Sequence, residues 1–402
     1  MNGLRCCAIT VALIASWAVP AGGAVKPPDD PLFQYQWNLR AIQIPAAWAA
    51  TRGAGVTVAV LDTGVAYRNR GGYRRAPDLA RTRFVAGYDF VDDDPYPDDV
   101  PPPRERHSHG TQMAALIAQN AGNGLGAAGV APDVAIMPIR VLEPDLNGSA
   151  RAIARGLRFA ADHGADVANL SIAGRSPSRV LTDAVDYAVA KGVTVVAASG
   201  NGGQEAVGWP AADPQVIAVG AVSEDLTRAE YSNFGDELDV VAGAGAGLRT
   251  DTGFGPSDGV IGQALKGDRK SFCFCFTAST SAAAAQVSGV AALLVASGRA
   301  RAPAKVRAAL VASARDLGPK GRDRQYGAGL VQAADALGVA SVPQAAVPPQ
   351  PAAALPKRPA EPVREPDAKR GRWPLLVLGG VLVVAIAGSS IVLRRRRSAT
   401  SQ

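Results

Sequence analysis

Between Asp30 and about Leu337 the chain alternates short runs of Val, Ile, Leu and Ala with amphipathic stretches, and this alternation constrains the fold more than any other feature. Short apolar runs bounded by turn residues suit strands buried on both faces, which occur where crossover helices cover a parallel sheet. Strands are expected at residues 56–61, 134–141, 167–171, 193–199, 216–222 and 238–242, with helices starting near Gly110, Ser149, Arg179, Thr280 and Pro303. The fold class is therefore α/β: a doubly wound, mostly parallel sheet with helices on both faces. Only 5% of residues are aromatic while Ala, Gly and Val dominate, so the core is expected to use small side chains at close helix–sheet contacts, not a β-sandwich.

The ends of the chain carry different information. The formal charge is +7, but residues 339–402 hold ten basic and three acidic side chains, and the remaining 32 of each sign cancel. The charge describes a tail, which excludes a basic face for nucleic acid on the folded part. Residues 1–24 read as a signal peptide: Arg5, an apolar run over 6–19, Pro20, then small residues with cleavage near Ala24. Residues 341–372 are rich in Pro, Ala and alternating charge and are expected to form an extended linker. Residues 373–393 are expected to form one transmembrane helix, because 375–393 are uncharged, mostly apolar and roughly 28 Å long as a helix. Trp373 marks one boundary, and Arg394 to Arg397, in a basic tail over 394–402, place that end in the cytoplasm. The folded part would then be extracytoplasmic, periplasmic or extracellular, on a single-pass cell-membrane protein. Past the signal segment only Cys273 and Cys275 remain, which excludes a disulfide framework. Their Phe-Cys-Phe-Cys-Phe setting suggests a buried strand with both thiols on one face in preference to a local bridge.

Four short segments carry chemistry-bearing residues. Asp62 follows the apolar run 58–61 and precedes Thr63-Gly64, so an acid stands at the carboxyl end of a buried strand; an Asp there is also a common turn-former. His109 in His109-Gly110-Thr111 enters an apolar-periodic helix and is one of three histidines, with His107 and His163 read as surface residues. Asn201 ends another buried strand after Ser199-Gly200 and could serve only as a turn residue. Ser281, in Ser279-Thr280-Ser281, opens an Ala-rich helix, where a serine usually acts as a cap.

In the order Asp, His, Asn, Ser, these segments resemble the subtilases, the subtilisin-like serine peptidases, and most of all the thermitase-like members. The likeness covers about Asp30 to Leu337, including Gly129-Val130-Ala131-Pro132, Asn169-Leu170-Ser171 and Tyr231-Ser232-Asn233-Phe234-Gly235, so a peptidase domain is expected over residues 25–340. The resemblance implies Ser281 as nucleophile, His109 as general base, Asp62 as its orienter, and Asn201 as an oxyanion donor. It also implies that Ser171, Ile172, Ala173 and Gly174 form a wall of the substrate cleft by pairing with an extended peptide. Calcium is the implied cofactor, structural and not catalytic. One family-like site would use Asp89, Asp92, Asp94 and Asp98; a second would use Asp30, Asp78 and Asn123 with carbonyls of the loop 120–128. For the first set a solvated acidic loop is the rival reading.

Several positions depart from the family pattern. Gln112 stands where a second His is usual, Ser279 where Gly is usual, Ala282 where Met is usual, and Ala285-Gln286 where Pro-His is usual. The implied function is a membrane-anchored serine endopeptidase acting on exported proteins through an acyl-enzyme. The alternatives are a catalytically silent peptide-binding or scaffold module, or a mycosin-like protease of a secretion apparatus.

Overall fold

A computed structural model describes residues 27–101, 107–247 and 258–340. Its strands are β1 Thr57–Asp62, β2 Arg83–Phe84, β3 Tyr88–Asp89, β4 Ala135–Arg140, β5 Val167–Leu170, β6 Thr194–Ala198, β7 Ile217–Val222, β8 Val240–Gly243, β9 Val260–Leu265 and β10 Phe272–Thr277. Its helices are α1 Trp37–Ala41, α2 Ile44–Ala47, α3 His109–Ala118, α4 Ala150–Asp162, α5 Arg179–Ala190, α6 Thr280–Ala296, α7 Pro303–Ser313 and α8 Ala333–Leu337. The expected signal peptide, linker, transmembrane helix and basic tail lie outside the described residues. Among the described residues no helix is long and apolar enough to cross a membrane.

The main sheet has the order β2-β4-β1-β5-β6-β7-β8, with β3 also pairing β4, and its ladders are parallel. β4, β5, β6, β7 and β8 are buried along their whole length, which is why they read in the sequence as predominantly apolar runs. Chain order reverses at β1, with β4 on one side and β5 on the other. That reversal opens a crevice above the carboxyl end of β1, where open α/β sheets carry their sites.

Alternation along β1 shows that helices cover both faces. A Cβ placed on Gly156 of α4 would lie 3.4 Å from the Leu61 side chain, and one on Gly110 of α3 would lie 3.1 Å from the Asp62 Cβ. Consecutive strand residues face opposite sides, so α4 and α3 cover opposite faces. α6 is buried from Thr280 to Val295 and packs against the sheet and α3, as befits a helix that is apolar all round.

One expectation is corrected in the antiparallel pair β9–β10. Cys273 and Cys275 form a disulfide, with Cα atoms 5.3 Å apart. Their strand is half-buried instead of buried. Residues i and i+2 of a strand share a face, so the two sulfur atoms meet without any change of pairing: Cys273 stays opposite Ala264 and Cys275 opposite Gly262.

Candidate active site

Asp62, the last residue of β1, is fully buried and accepts a hydrogen bond from the Thr63 N–H at 2.8 Å. His109 is the first residue of α3, and its Nδ1 lies 2.7 and 2.9 Å from the two Asp62 carboxylate oxygens. Gly110 allows this approach, because a Cβ there would sit 2.1 Å from the Gly64 carbonyl oxygen. Burial works to lower the His109 pKa, but the charge and hydrogen bond of Asp62, with the charge of Asp99 adding to them, raise it overall. With the Nδ1 proton held by the carboxylate, Nε2 of the neutral ring is a base.

Ser281 is the second residue of α6 and is buried. Its hydroxyl donates to the Ser171 carbonyl at 3.4 Å, while the Ser171 hydroxyl donates back to the Ser281 carbonyl at 3.1 Å. Ser171 follows β5, which pairs β1 through Asn169 and Val60, so the exchange brings Ser281 to the same edge of the sheet as Asp62. The Ser288 hydroxyl fixes α6 further along, donating to Asn169 Oδ1 at 3.0 Å. Among the described residues no hydrogen bond joins Ser281 to His109.

Asn201 is aimed by Thr280. Its Oδ1 accepts from the Thr280 N–H at 2.8 Å and from the Thr280 hydroxyl at 2.9 Å. A backbone N–H can only donate, so the oxygen must face Thr280, and the amide NH2 is left without a partner among the described residues. Gly200 sits at φ +111°, a conformation open to glycine, and a Cβ there would lie 2.4 Å from Asn233 Nδ2.

Of the four expected wall residues, Gly174 is already paired. Its N–H donates to Trp209 O at 2.6 Å, and its carbonyl accepts from Trp209 N at 2.9 Å. Ser171 is engaged with Ser281, as above. Ile172 and Ala173 make no backbone hydrogen bond among the described residues, and Ala173 is exposed.

The first calcium set does not fit a metal. Asp89 and Asp92 both bind the Arg140 guanidinium, at 2.8 and 2.5 Å, and Asp98 takes the Arg68 Nε at 3.0 and 3.1 Å. Asp94 accepts from the Tyr96 N–H at 2.7 Å. Two arginines already supply the positive charge that a cation would bring. Among the described residues no group of three or more His, Cys, Asp or Glu side chains could hold a metal ion.

The second set is brought together, with two carboxylates and one amide. Asp30 accepts from the Gly122 and Asn123 N–H groups at 2.8 and 3.0 Å, and Asn123 Nδ2 lies 2.6 Å from Asp78 Oδ1. Asp78 is fully buried and is surrounded by neutral donors from Gln119, Asn123 and Ala127. Burial, together with the nearby charge of Asp30 and against those donors, pushes its carboxyl up to about 6. Asp30, Asp78 and Asn123 thus lie together, and the Asp78 carboxylate meets only neutral donors.

The departures from the family pattern have local explanations. Ser279 caps α6: its Oγ accepts from the Ala282 N–H at 3.2 Å, and its φ of −168° is extended backbone that any residue adopts. Gln112 donates to Cys275 O at 2.8 Å and takes a hydrogen bond from His107 Nε2 at 2.9 Å, tying α3 to the β9–β10 pair. His107 is thus an internal ligand of Gln112 and not a free surface residue; burial lowers its pKa and keeps it neutral. Gln286 is buried and satisfied by Asn38, Gly243 and Ala282.

One residue beside the site escaped the sequence reading. Asp99 is fully buried between Thr63 and Thr111, and burial pushes its carboxyl up to about 6 against the pull of its hydrogen bonds. In the sequence it is one more acid in an acid-rich run, with no signal to separate it from the other acids there.

The Subtilase family model matches residues 53–329. The thermophilic serine proteinase of Bacillus sp. (strain AK1) is 36% identical over 274 residues, covering 68% of this chain and 60% of that protein. Thermitase of Thermoactinomyces vulgaris is 34% identical over 284 residues, covering 70% of this chain and 90% of thermitase. Among solved structures, a protease from Pseudoalteromonas arctica PAMC 21717 superposes with a TM-score of 0.68 at 29% identity, over 78% of this chain and 99% of that one. Taken with a buried Asp62 paired to His109 at the reversal point of a parallel sheet and a serine opening the central helix, these likenesses assign the chain to the Subtilase family, as a subtilisin-like serine endopeptidase.

Proposed function

We propose that the chain hydrolyses peptide bonds of exported proteins through an acyl-enzyme, with Ser281 as nucleophile, His109 as general base and acid, and Asp62 as the group that orients and stabilises the imidazole. The observation that carries this reading is the His109–Asp62 contact, which orients the imidazole and leaves Nε2 free to act as the base. On substrate binding the Ser281 hydroxyl leaves the Ser171 carbonyl for Nε2; such bonds are often long in free enzymes and tighten in the complex. Oγ then attacks the peptide carbonyl carbon, and its proton passes to Nε2 and on to the leaving amine. Water repeats the sequence in reverse to release the acid and restore Ser281. The oxyanion is met by the Ser281 backbone N–H and the partnerless Asn201 NH2. An extended substrate would pair with Ile172-Ala173.

A fluorophosphonate should label Ser281 in the purified full chain, and Asn201→Ala should slow that labelling by about 10²- to 10³-fold by removing one donor to the developing oxyanion. Labelling that is indifferent to Asn201 would remove it from the site. Ser279, Gln112 and Gln286, the departures behind the silent-module alternative, each have a local structural role, and labelling dependent on Ser281 decides between the two readings.

Calcium, if bound, is held by Asp30, Asp78 and Asn123 with carbonyls of the 120–128 loop, and its contribution is to neutralise the buried Asp78. Calcium at a hundredfold excess over its Kd should stabilise the fold by about 2.7 kcal/mol, visible as a higher Tm. Asp30→Asn should abolish most of that response, and an equal response in both proteins would contradict the assignment.

The apolar span 373–393 and the four arginines after it support tethering at the cell membrane, with the peptidase domain outside. The full chain should remain with membranes after alkaline carbonate washing, while a chain ending at residue 340 should not. Release of both chains alike would count against the anchor.

A further inference from the structure

We infer that Asp99, which no step above employs, is a positioning residue that ties the Asp62 turn to the first turn of α3 and so sets His109 against Asp62. The inference rests on the proteolytic reading of the site.

The directions of the surrounding hydrogen bonds carry the argument. The Gly110 N–H donates to the Thr63 hydroxyl at 2.9 Å, so that hydroxyl must turn its own proton toward Asp99, 2.8 Å away. The Ala66 N–H donates to the Thr111 hydroxyl at 3.0 Å, which in turn gives its proton to Asp99 at 2.5 Å. The Thr111 N–H reaches the same carboxylate directly at 2.9 Å. Two chains of donors, each starting at a backbone N–H that can only donate, therefore end on one fully buried carboxylate. Only an acceptor with both oxygens free can close them.

The residues held this way flank the catalytic pair. Thr63 follows Asp62, while Gly110 and Thr111 follow His109, so Asp99 fixes the two backbones from which those side chains project. An amide at position 99 would offer one acceptor oxygen and one NH2 donor, so the chain that meets the NH2 would lose the acceptor for its hydroxyl proton. The first turn of α3 would then shift relative to β1, and displacements of about 1 Å at a catalytic group can cost about 10²-fold in rate.

The charge of Asp99 also bears on the imidazole. The titratable groups facing His109 are Asp62 at the end of β1, Asp99 in the loop ahead of α3, and His107 just before the helix. Removing the Asp99 charge should lower the His109 pKa and move the acid limb of activity to lower pH.

The test measures fluorophosphonate inactivation of the full chain against pH, for the wild type, Asp99→Asn, Thr63→Val, Thr111→Val and Thr111→Ser, alongside thermal unfolding. The expected result is inactivation about 10- to 100-fold slower in Asp99→Asn, with the acid limb displaced downward. Thr111→Val should be slowed without that displacement, and Thr111→Ser, which keeps the hydroxyl, should be near wild type. A folded Asp99→Asn protein with wild-type rate and an unmoved acid limb overturns the inference. Should Asp99→Asn fail to fold, wild-type rates in Thr111→Val and Thr63→Val overturn it instead. Absence of Ser281-dependent inactivation in the wild type would overturn the proteolytic reading, and this inference with it, whereas a reactive wild type with an indifferent Asp99 sinks the inference alone.

Discussion

Replacing Ser281 with alanine is expected to lower peptide hydrolysis by about 10⁶-fold, the scale of loss when a triad nucleophile of a serine protease is removed. The methyl side chain deletes the attacking oxygen but leaves the buried N-terminus of α6, so the fold should be unaffected: the hydroxyl makes only a 3.4 Å contact with Ser171. Hydrolysis of a casein substrate and thermal unfolding, measured on the same preparation, separate the two effects. His109→Ala should lose about as much, and the double replacement little more, because the two residues act as one unit. Retention of a tenth of the activity in a folded Ser281→Ala protein would exclude this serine as nucleophile.

Asp62→Asn should cost about 10⁴-fold in kcat while changing KM little. The substituted side chain would present an amide N–H to Nδ1, favouring the tautomer that carries its proton on Nε2, where the base is needed. A second signature follows from electrostatics. Burial alone lowers the His109 pKa, and the Asp62 carboxylate is the main reason that it is raised instead. The wild type should therefore lose activity on acidification at a higher pH than an ordinary histidine would dictate, as the imidazole takes up its proton. In Asp62→Asn that limb should move to lower pH. Rates measured between pH 5 and 9 decide the matter, and an unmoved limb would show that another group controls it.

The central strands were legible in the sequence because a strand buried on both faces is written as a mostly apolar run, as in Val216-Ile217-Ala218-Val219-Gly220-Ala221-Val222. Strand β9 was not, since Gly262 and Gln263 interrupt its run. β10 was recognised as a strand but misjudged in burial, because its three phenylalanines look like core and are half-exposed. Asp62, His109, Asn201 and Ser281 stood out through local motifs and chain order. What surrounds them did not. The partners of Asp99 and the fixing of Asn201 by Thr280 depend on contacts between segments far apart in the chain, which no local pattern encodes. The acidic turn misled for the same reason: its counter-charge, Arg140, ends β4 about fifty residues later.

That arginine changes how this corner of the molecule meets its surroundings. A coordinated ion leaves and returns with a lifetime set by the medium, whereas a guanidinium is covalently part of the chain and cannot be diluted away. The carboxylates of Asp89 and Asp92 therefore keep their counter-charge through dialysis, chelators and fluctuating mineral supply.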